Sequence, residues 1–257
     1  MKKLLIMLLL LVITIPSYAQ KREWFDSGYD FTKVKSIAFA LKKDDRYSDL
    51  VLNEMKDIYY QQIKSGIYDK LNTKCKIVSN QRLREEFLCD KGISEDEINA
   101  LYNKDPDKVE NLFADYISNN YDLYVLGIPI VYDMGTQYRE GYVYTMPSVN
   151  TSLITFPNGQ MATVSSNGQT VHTVRGGNFP TVYVSFRFDI VDAKTFNSEG
   201  KAIWVRLDDR ARVNQDVLQN SKPKDVFKRI MSSFAEDFVD VINTKKASKS
   251  KTDNYGF

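Results

Sequence analysis

The sequence has 257 residues and is close to electrically neutral, with 35 Lys and Arg against 33 Asp and Glu and a formal net charge of +2. A nucleic-acid-binding domain is strongly basic, so this balance argues against nucleic acid as a partner. The length fits one large domain or a domain with an insertion, and the 16 Tyr and 14 Phe supply the bulk that a core requires.

The N-terminus has the pattern of a secretory signal peptide. Lys2 and Lys3 precede an apolar run from Leu4 to Ile15 and a small-residue cleavage site that ends at Ala19. The run is shorter than a transmembrane helix of about 20 residues, and no later stretch is apolar enough to span a membrane. No cysteine follows the cleavage site, which argues against a lipid anchor. We predict that residues 1–19 are a signal peptide and that the mature protein is periplasmic or secreted.

The first half of the mature chain predicts strands and helices in alternation. Gln20–Thr32 is interpreted as an entry segment packed on the domain. Strands are predicted over Val34–Leu41 and Cys75–Ser79, and helices are predicted to begin at Ser48 or Asp49, at Ser79 or Asn80, at the capping box Ser94–Glu97 and at Asp105-Pro106. The first of these helices extends to about Leu71, because apolar residues recur there every three or four positions.

The second half is predicted to be rich in strands. Asp122–Asp133 forms a strand in which Pro129 indicates a bulge or a sheet edge. Residues 134–180 are rich in Thr, Ser, Gly and Asn, and we interpret them as an insertion. Its predicted strands are short, with the limits 153–156, 161–164 and 170–174, and Asn-Gly turns join them.

The stretch from Thr181 to Arg210 predicts the hairpin around which the rest is organised. Apolar and polar residues alternate on both sides of a polar loop, which is typical of two antiparallel strands with one buried face. A last amphipathic helix follows from Ser221 or Pro223 to about Asn243, and residues 245–257 are predicted to be a disordered basic tail. The predicted fold is a single α/β (α+β) domain over residues 20–244. It has a mixed sheet, helices mainly on one face, a closing antiparallel hairpin and a β-rich insertion.

Three local motifs resemble one family of envelope domains. KIVSNQRLREEF resembles that family's second strand running into a helix. YDLYVLGIPIVYD resembles its third strand, with Tyr121, Asp122 and Gly127 in matching places, and FDIVDAKTFNSEGKAIW resembles its closing hairpin. The family comprises the amino-terminal region of TolB, the curli secretion channel and the periplasmic activators of cell-wall synthases. The resemblance covers Val34–Val131 and Tyr183–Val241, whereas the insertion has no counterpart in it.

The resemblance implies an envelope domain that scaffolds, assembles or regulates rather than catalyses. The function we expect is therefore protein–protein interaction with one or more envelope proteins, without a cofactor. A subunit of an outer-membrane secretion pore is an alternative, with the insertion as membrane hairpins. Membrane strands have about 9–11 residues, and the predicted strands of the insertion are shorter.

A hydrolase with an unrecognised carboxylate site is the second alternative, but the sequence offers little material for catalysis or metal binding. His172 is the only histidine, which leaves no His-dependent triad. Asp208 and Asp209 lie in a charged cluster, but adjacent strand residues point to opposite faces, so the two carboxylates should not converge. We expect them to form cross-strand ion pairs. The loop at Asp44-Asp45 is a further place where a cation would find carboxylates.

The insertion supplies the candidate partner-binding residues. These aromatic residues are Tyr138, Tyr142, Tyr144, Phe156 and Phe179. Tyrosine is enriched at protein interfaces. The alternative is that these rings cover an edge of the sheet.

Cys75 and Cys89 are the only cysteines, and export makes a disulfide between them possible. A strand of about five residues and a returning helix of about ten residues would bring both to the same end of the sheet. The alternative is two free thiols that pack as small apolar residues.

Overall fold

The computed structural model describes residues 19–155, 161–174, 176–197, 200–214 and 220–244. Six strands form one mixed sheet in the order β1-β8-β7-β4-β2-β3, and β5 and β6 pair with each other. The strands are β1 (Ala19–Phe25), β2 (Ser36–Leu41), β3 (Lys76–Ser79), β4 (Leu123–Arg139), β5 (Tyr142–Thr155), β6 (Met161–Val174), β7 (Gly177–Asp192) and β8 (Ala202–Val213).

The helices are α1 (Asp49–Ile63), α2 (Asn80–Lys91), α3 (Glu95–Lys104), α4 (Pro106–Asn120) and α5 (Pro223–Thr244). A π-helical segment, Lys64–Tyr68, and a last turn, Asp69–Leu71, extend α1 to the predicted end. The predicted helix starts are confirmed. The Ser94 hydroxyl accepts from the backbone N–H of Glu97, and the Glu97 carboxylate accepts from that of Ser94. The signal-peptide prediction, apart from Ala19, and the predicted tail lie outside the described residues.

The sheet combines a parallel and an antiparallel half. β2 runs parallel to β3 and to β4, and helices make the connections. β7 is antiparallel to both β4 and β8, and β1 is antiparallel to β8. The closing hairpin is therefore confirmed and lies in the middle of the sheet. β1 is a strand within the segment that we interpreted only as a packed entry.

The larger core lies on the sheet face that α1 and α5 cover. Ile37 and Phe39 of β2 and Phe186 and Phe188 of β7 point to this face, and all are at most 1% exposed. The ring of Phe188 stacks on that of Phe234 of α5, with 3.8 Å between the centroids. The apolar stripe predicted for the last helix is the one that closes this core.

A second core lies on the opposite face, where α2, α3 and α4 cover the parallel half of the sheet. It contains Ala38 and Tyr124 of the sheet together with Phe87 and Ile117 of the helices. The predicted α/β fold class is confirmed, but the expectation of helices mainly on one face is corrected. Parallel strands are usually buried on both faces, and the continuous apolar run of β2 follows that rule.

The residues that carry the family resemblance have structural roles. Asp122 accepts hydrogen bonds from the backbone N–H groups of Lys35 and Ser36 at 2.9 and 3.0 Å, which fixes the start of β4 against β2. Gly127 lies where a Cβ atom would meet the ring of Tyr59 at 2.7 Å and that of Phe186 at 3.0 Å. The close approach of α1 to the sheet therefore requires glycine there.

Candidate functional site: the β ribbon

The predicted insertion is one long two-stranded structure. β4 pairs with β7 as far as Arg139 and Gly177, and β5 then pairs with β6 from Tyr142 and Val174 to Thr155 and Met161. The register does not slip across the short break between the two parts. We call the paired segments 136–155 and 161–180 the β ribbon, and the remaining six-stranded sheet with its five helices the body.

The prediction of short strands joined by Asn-Gly turns is wrong at Asn167-Gly168, whereas the predicted turn at Asn158-Gly159 lies outside the described residues. Asn167-Gly168, one of the predicted turns, lies inside β6, where Asn167 pairs with Val149 and Gly168 with Ser148. The two flanking strands keep their register through this pair, so long-range pairing overrides the local turn preference. The predicted bulge at Pro129 is confirmed by a register shift between Pro129 and Val131.

The ribbon extends far from the sheet that supports it. β8 accompanies β7 only to the Thr181–Val213 pair, and β2 accompanies β4 only to Leu41 and Gly127. Beyond the Thr181–Val213 pair, where β8 ends, each ribbon strand continues for about 20 residues, which corresponds to roughly 65 Å. Among the described residues, no further strand pairs with the outer edge of either ribbon strand.

A glycine junction divides the ribbon into a proximal and a distal part. The described pairing stops at the Arg139–Gly177 pair and resumes at the Tyr142–Val174 pair. A Cβ atom on Gly176 would lie 2.7 Å from the backbone nitrogen of Gly141 and 3.0 Å from the Arg139 carbonyl oxygen. The two strands therefore approach each other at this junction more closely than any other residue at position 176 would allow.

The distal part differs from the rest of the chain in charge. Residues 142–174 contain no Asp, Glu, Lys or Arg, although 26% of the whole sequence is charged. Native sheets often protect free edges with charged residues, particularly lysine. The distal ribbon has none, so its edges carry no charge that would repel another strand.

The candidate aromatic residues are distributed along this ribbon. Tyr138 is 65% exposed, and Phe179 on the facing strand is half-buried. Tyr142 and Tyr144 occupy β5 positions opposite Val174 and His172, with side chains outside the described part of the structure. Phe156 lies outside the described residues.

The prediction missed an exposed apolar stripe at the root of the ribbon. Ile130, Val131, Met134 and Val143 are between 37% and 64% exposed. The sequence signal was present in the apolar residues after Pro129, but the sequence analysis derived only a bulge or a sheet edge from this proline. Tyr138 lies further along β4 and is also exposed.

The charged cluster around Asp208 belongs to the core instead. Arg206 and Asp208 are 0% and 2% exposed. The Arg206 guanidinium donates to Asp208 and to Asp237, both at 2.6 Å. Asp209 points to the other face and pairs with Arg22 across the β1–β8 ladder at 2.7 Å. The two carboxylates diverge as predicted.

The described residues contain no group of three or more His, Cys, Asp or Glu side chains arranged for a metal ion. Asp44 accepts from Arg46 through its side chain and backbone, which lowers the pKa of Asp44 to about 2. The Asp44 carboxylate is therefore already paired with Arg46. Within the same residues, no helix is long and apolar enough to cross a bilayer.

The predicted disulfide is not formed, and both cysteines are free. Cys75 is buried in the core beneath α1 and α5, where its thiol donates to the Val34 carbonyl oxygen at 3.3 Å. Cys89 is exposed on α2, which packs on the opposite face of the sheet. The prediction placed both residues at one end of the sheet but did not account for the two faces.

Comparisons with known proteins do not assign a family. No family model matches the chain, and no curated protein is significantly similar to it. Among solved structures, the chain is similar to the PelC dodecamer from Paraburkholderia phytofirmans (TM-score 0.33, 9% identity, 84% of this chain and 96% of that chain) and to a point variant of it (TM-score 0.36, 9% identity, 85% and 96%). Both TM-scores are below 0.5, and neither similarity assigns a role to this chain.

Proposed function

We propose that this protein is a non-enzymatic assembly protein of the cell envelope that engages its partner through the β ribbon. The observation that carries the proposal is the continuation of β4 and β7 into a ribbon whose outer edges pair with no other described strand. The location rests on the signal-peptide pattern, and the kind of role agrees with the resemblance to periplasmic assembly and regulatory domains.

The energetics of strand pairing support a role in binding. An isolated two-stranded ribbon is at best marginally stable in water, because it buries little apolar surface and leaves a row of backbone N–H and C=O groups unpaired on each edge. An added strand satisfies those groups, which is the basis of β-strand addition between proteins. The exposed stripe at Ile130, Val131 and Met134 adds apolar surface next to those edges.

The burial of Asp208 in the body argues against an enzyme site at this carboxylate. Asp208, the carboxylate that a hydrolase would be expected to use, is 2% exposed and bonded to Arg206. It cannot reach a substrate without opening the packing of α5 on the sheet. The geometry therefore supports binding through the ribbon better than catalysis at this cluster.

Site-specific photo-crosslinking tests the proposal. A photoreactive phenylalanine at Tyr138 would report contacts of the ribbon, and the same residue at Tyr102 on α3 is a matched control, since the two positions are 65% and 51% exposed. In cells, we expect a discrete adduct from position 138 and none from position 102. Adducts from position 102 alone would contradict the proposal.

A second candidate function, a subunit of an outer-membrane secretion pore, is favoured by the distal ribbon. The sequence-based objection was that the strands are too short, but β5 and β6 have 14 residues each. A membrane-spanning strand has about 9–11 residues, and 142–174 lacks the charges that lipid disfavours.

Vesicle flotation separates the two candidates. For a pore subunit, the purified protein should float with lipid vesicles and release an entrapped dye. Replacement of Val143 and Val171 by Asp should abolish both effects. For an assembly protein that works in aqueous surroundings, the wild-type protein should stay in the soluble fraction and release no dye, while the crosslink from position 138 persists.

A further inference from the structure

A basic depression lies at the root of the ribbon, on the α1 and α5 side of the body. Its walls are α1, the first half of α5 and the end of β8, and its volume is about 570 Å³. Arg212, Lys228 and Arg229 contribute cationic groups to it, whereas Asp225 is its only acidic lining residue among those described. We call this depression the root pocket.

The cations of the root pocket are not neutralised by the described part of the chain. Within those residues, no carboxylate lies within 4.0 Å of the charged nitrogens of Arg212, Lys228 or Arg229. The Asp225 carboxylate accepts from the backbone N–H of Lys222 at 3.0 Å, so it caps the helix start. Neighbouring positive charges therefore face one another across the pocket with little compensation.

Arg210 shows the consequence of this crowding. It lies two residues before Arg212 on the same face of β8. Burial lowers the pKa of Arg210, and the positive charges of Arg206 and Arg229 lower it further, against the opposing effect of Asp208. Like charges that lie close together repel each other, and an anion bound among them would reduce that repulsion.

The pocket also has a fixed polar wall. Ser221, which is 8% exposed, lies where the chain enters α5. Asn214 bonds to both the backbone N–H and the carbonyl of Ser221, at 3.2 and 3.1 Å, and thereby joins the end of β8 to the start of α5. The 22-residue helix α5 adds the positive end of its dipole at this point.

We propose that the root pocket binds a phosphate-bearing ligand, either a soluble organic phosphate or the head group of an anionic phospholipid. Arginine is suited to this chemistry because its planar guanidinium donates two parallel hydrogen bonds to a phosphate. The volume is within the range of small-molecule sites, about 300–1,000 Å³, and exceeds what a single phosphate group would fill. The inference does not depend on the role of the ribbon.

Calorimetric titration with inorganic pyrophosphate tests the proposal on the mature protein. The double variant Arg212→Gln/Arg229→Gln should bind at least tenfold more weakly than the wild type. The control Lys104→Gln/Lys108→Gln removes the same charge from exposed positions on α3 and α4 and should bind like the wild type. Lys228→Gln provides a single-site variant at an exposed position, with an expected loss of a few fold.

Absence of saturable binding by the wild type would overturn the proposal, as would equal affinities of the two double variants. Flotation with phosphatidylglycerol and with phosphatidylcholine vesicles then distinguishes the sources. Flotation with phosphatidylglycerol alone, lost in the Arg212→Gln/Arg229→Gln variant, identifies a lipid head group. Pyrophosphate binding without flotation identifies a soluble organic phosphate.

Discussion

The body and the β ribbon of this protein differ in how their strands are covered and in how much charge they carry. In the body, each apolar strand face of the parallel half meets a helix, and the buried charges Arg206 and Asp208 pair with each other. In the ribbon, residues 142–174 carry no charge and the outer edges have no described strand beside them. The difference indicates that most of the stabilising packing lies in the body, and it is the basis of the proposal that the ribbon binds a partner.

The same backbone passes through both regions. β4 is covered on both faces at Val125 and Tyr124, and its side chains are 37–47% exposed at Ile130, Val131 and Met134. One strand therefore changes from a core element to a surface element within a few residues, at the Pro129 bulge. The backbone of the ribbon is therefore directly continuous with a core strand.

The largest expected contrast comes from removing a ring in each region. Phe234→Ala deletes a fully buried ring that stacks on Phe188, and its cost should be about 3–5 kcal/mol. Phe179→Ala removes a half-buried ring of the ribbon, and its cost should be below about 1 kcal/mol. Urea unfolding followed by far-ultraviolet circular dichroism measures both. Equal losses would mean that the ribbon is part of the cooperative core.

A smaller contrast is expected between two glycines. Gly127→Ala places a methyl group against Tyr59 and Phe186 in the body and should cost about 1–3 kcal/mol. Gly177→Ala at the ribbon root meets no atom within 4 Å and should change the free energy of unfolding by less than about 0.5 kcal/mol. A neutral Gly127→Ala variant would show that α1 packs less tightly on the sheet than described.

The buried ion network gives the body a pH dependence that comes from carboxylates, and residues 142–174 contain none. Burial alone would raise the pKa of Asp237, but Lys21 and Arg206 outweigh it, so the pKa is lowered. A lowered carboxyl pKa contributes stability above the unfolded value of about 3.9, and this is lost as pH falls through the folded value.

Asp237→Asn should therefore cost about 1–2 kcal/mol at pH 7, with a smaller difference from the wild type at pH 2–3. Thermal melting between pH 2 and 7 measures this. A constant difference over that range would assign the effect to packing rather than to charge.

Much of this organisation was predictable from sequence, because the signals are local. Ser94 and Glu97 mark a helix start by their own chemistry, and the alternation in 181–210 marks the central hairpin. The continuous apolar run of β2 also predicts burial on both faces, although we assigned the helices mainly to one face.

The ribbon was not predictable in the same way, because its evidence is a register shared by residues far apart in the chain. Asn167-Gly168 has a strong local turn signal, yet it continues a strand because Val149 and Ser148 lie opposite. The root pocket similarly joins Gln62 with Arg212 and Arg229, residues that only the packing of α1, β8 and α5 brings together. The prediction of a disulfide was wrong for a related reason, because the spacing of two residues in the sequence does not show on which face of the sheet a helix packs.

The smallest expected contrast is the difference in thiol reactivity between the two cysteines, which lie on opposite faces of the sheet. Cys89 is exposed on α2, so it should react with a thiol reagent in the native protein within minutes. Cys75 should react only on unfolding, because it is buried, and burial also raises the pKa of its thiol. Mass spectrometry after native and denaturing alkylation counts the labels. If neither cysteine is labelled in the denatured, unreduced protein, Cys75 and Cys89 are joined by a disulfide and the description given above is wrong.

The central claim is that the body folds alone and the ribbon binds, and one variant tests it directly. Residues 137–179 are replaced by Asn-Gly, so that Thr136 and Pro180, which already face each other, are joined by a two-residue hairpin turn. The thermal midpoint of this variant should lie within about 5 °C of the wild type, and partner adducts from a photoreactive residue at Met134, just outside the deletion, should disappear. Loss of cooperative unfolding, or unchanged crosslinking by a folded variant, would contradict the account.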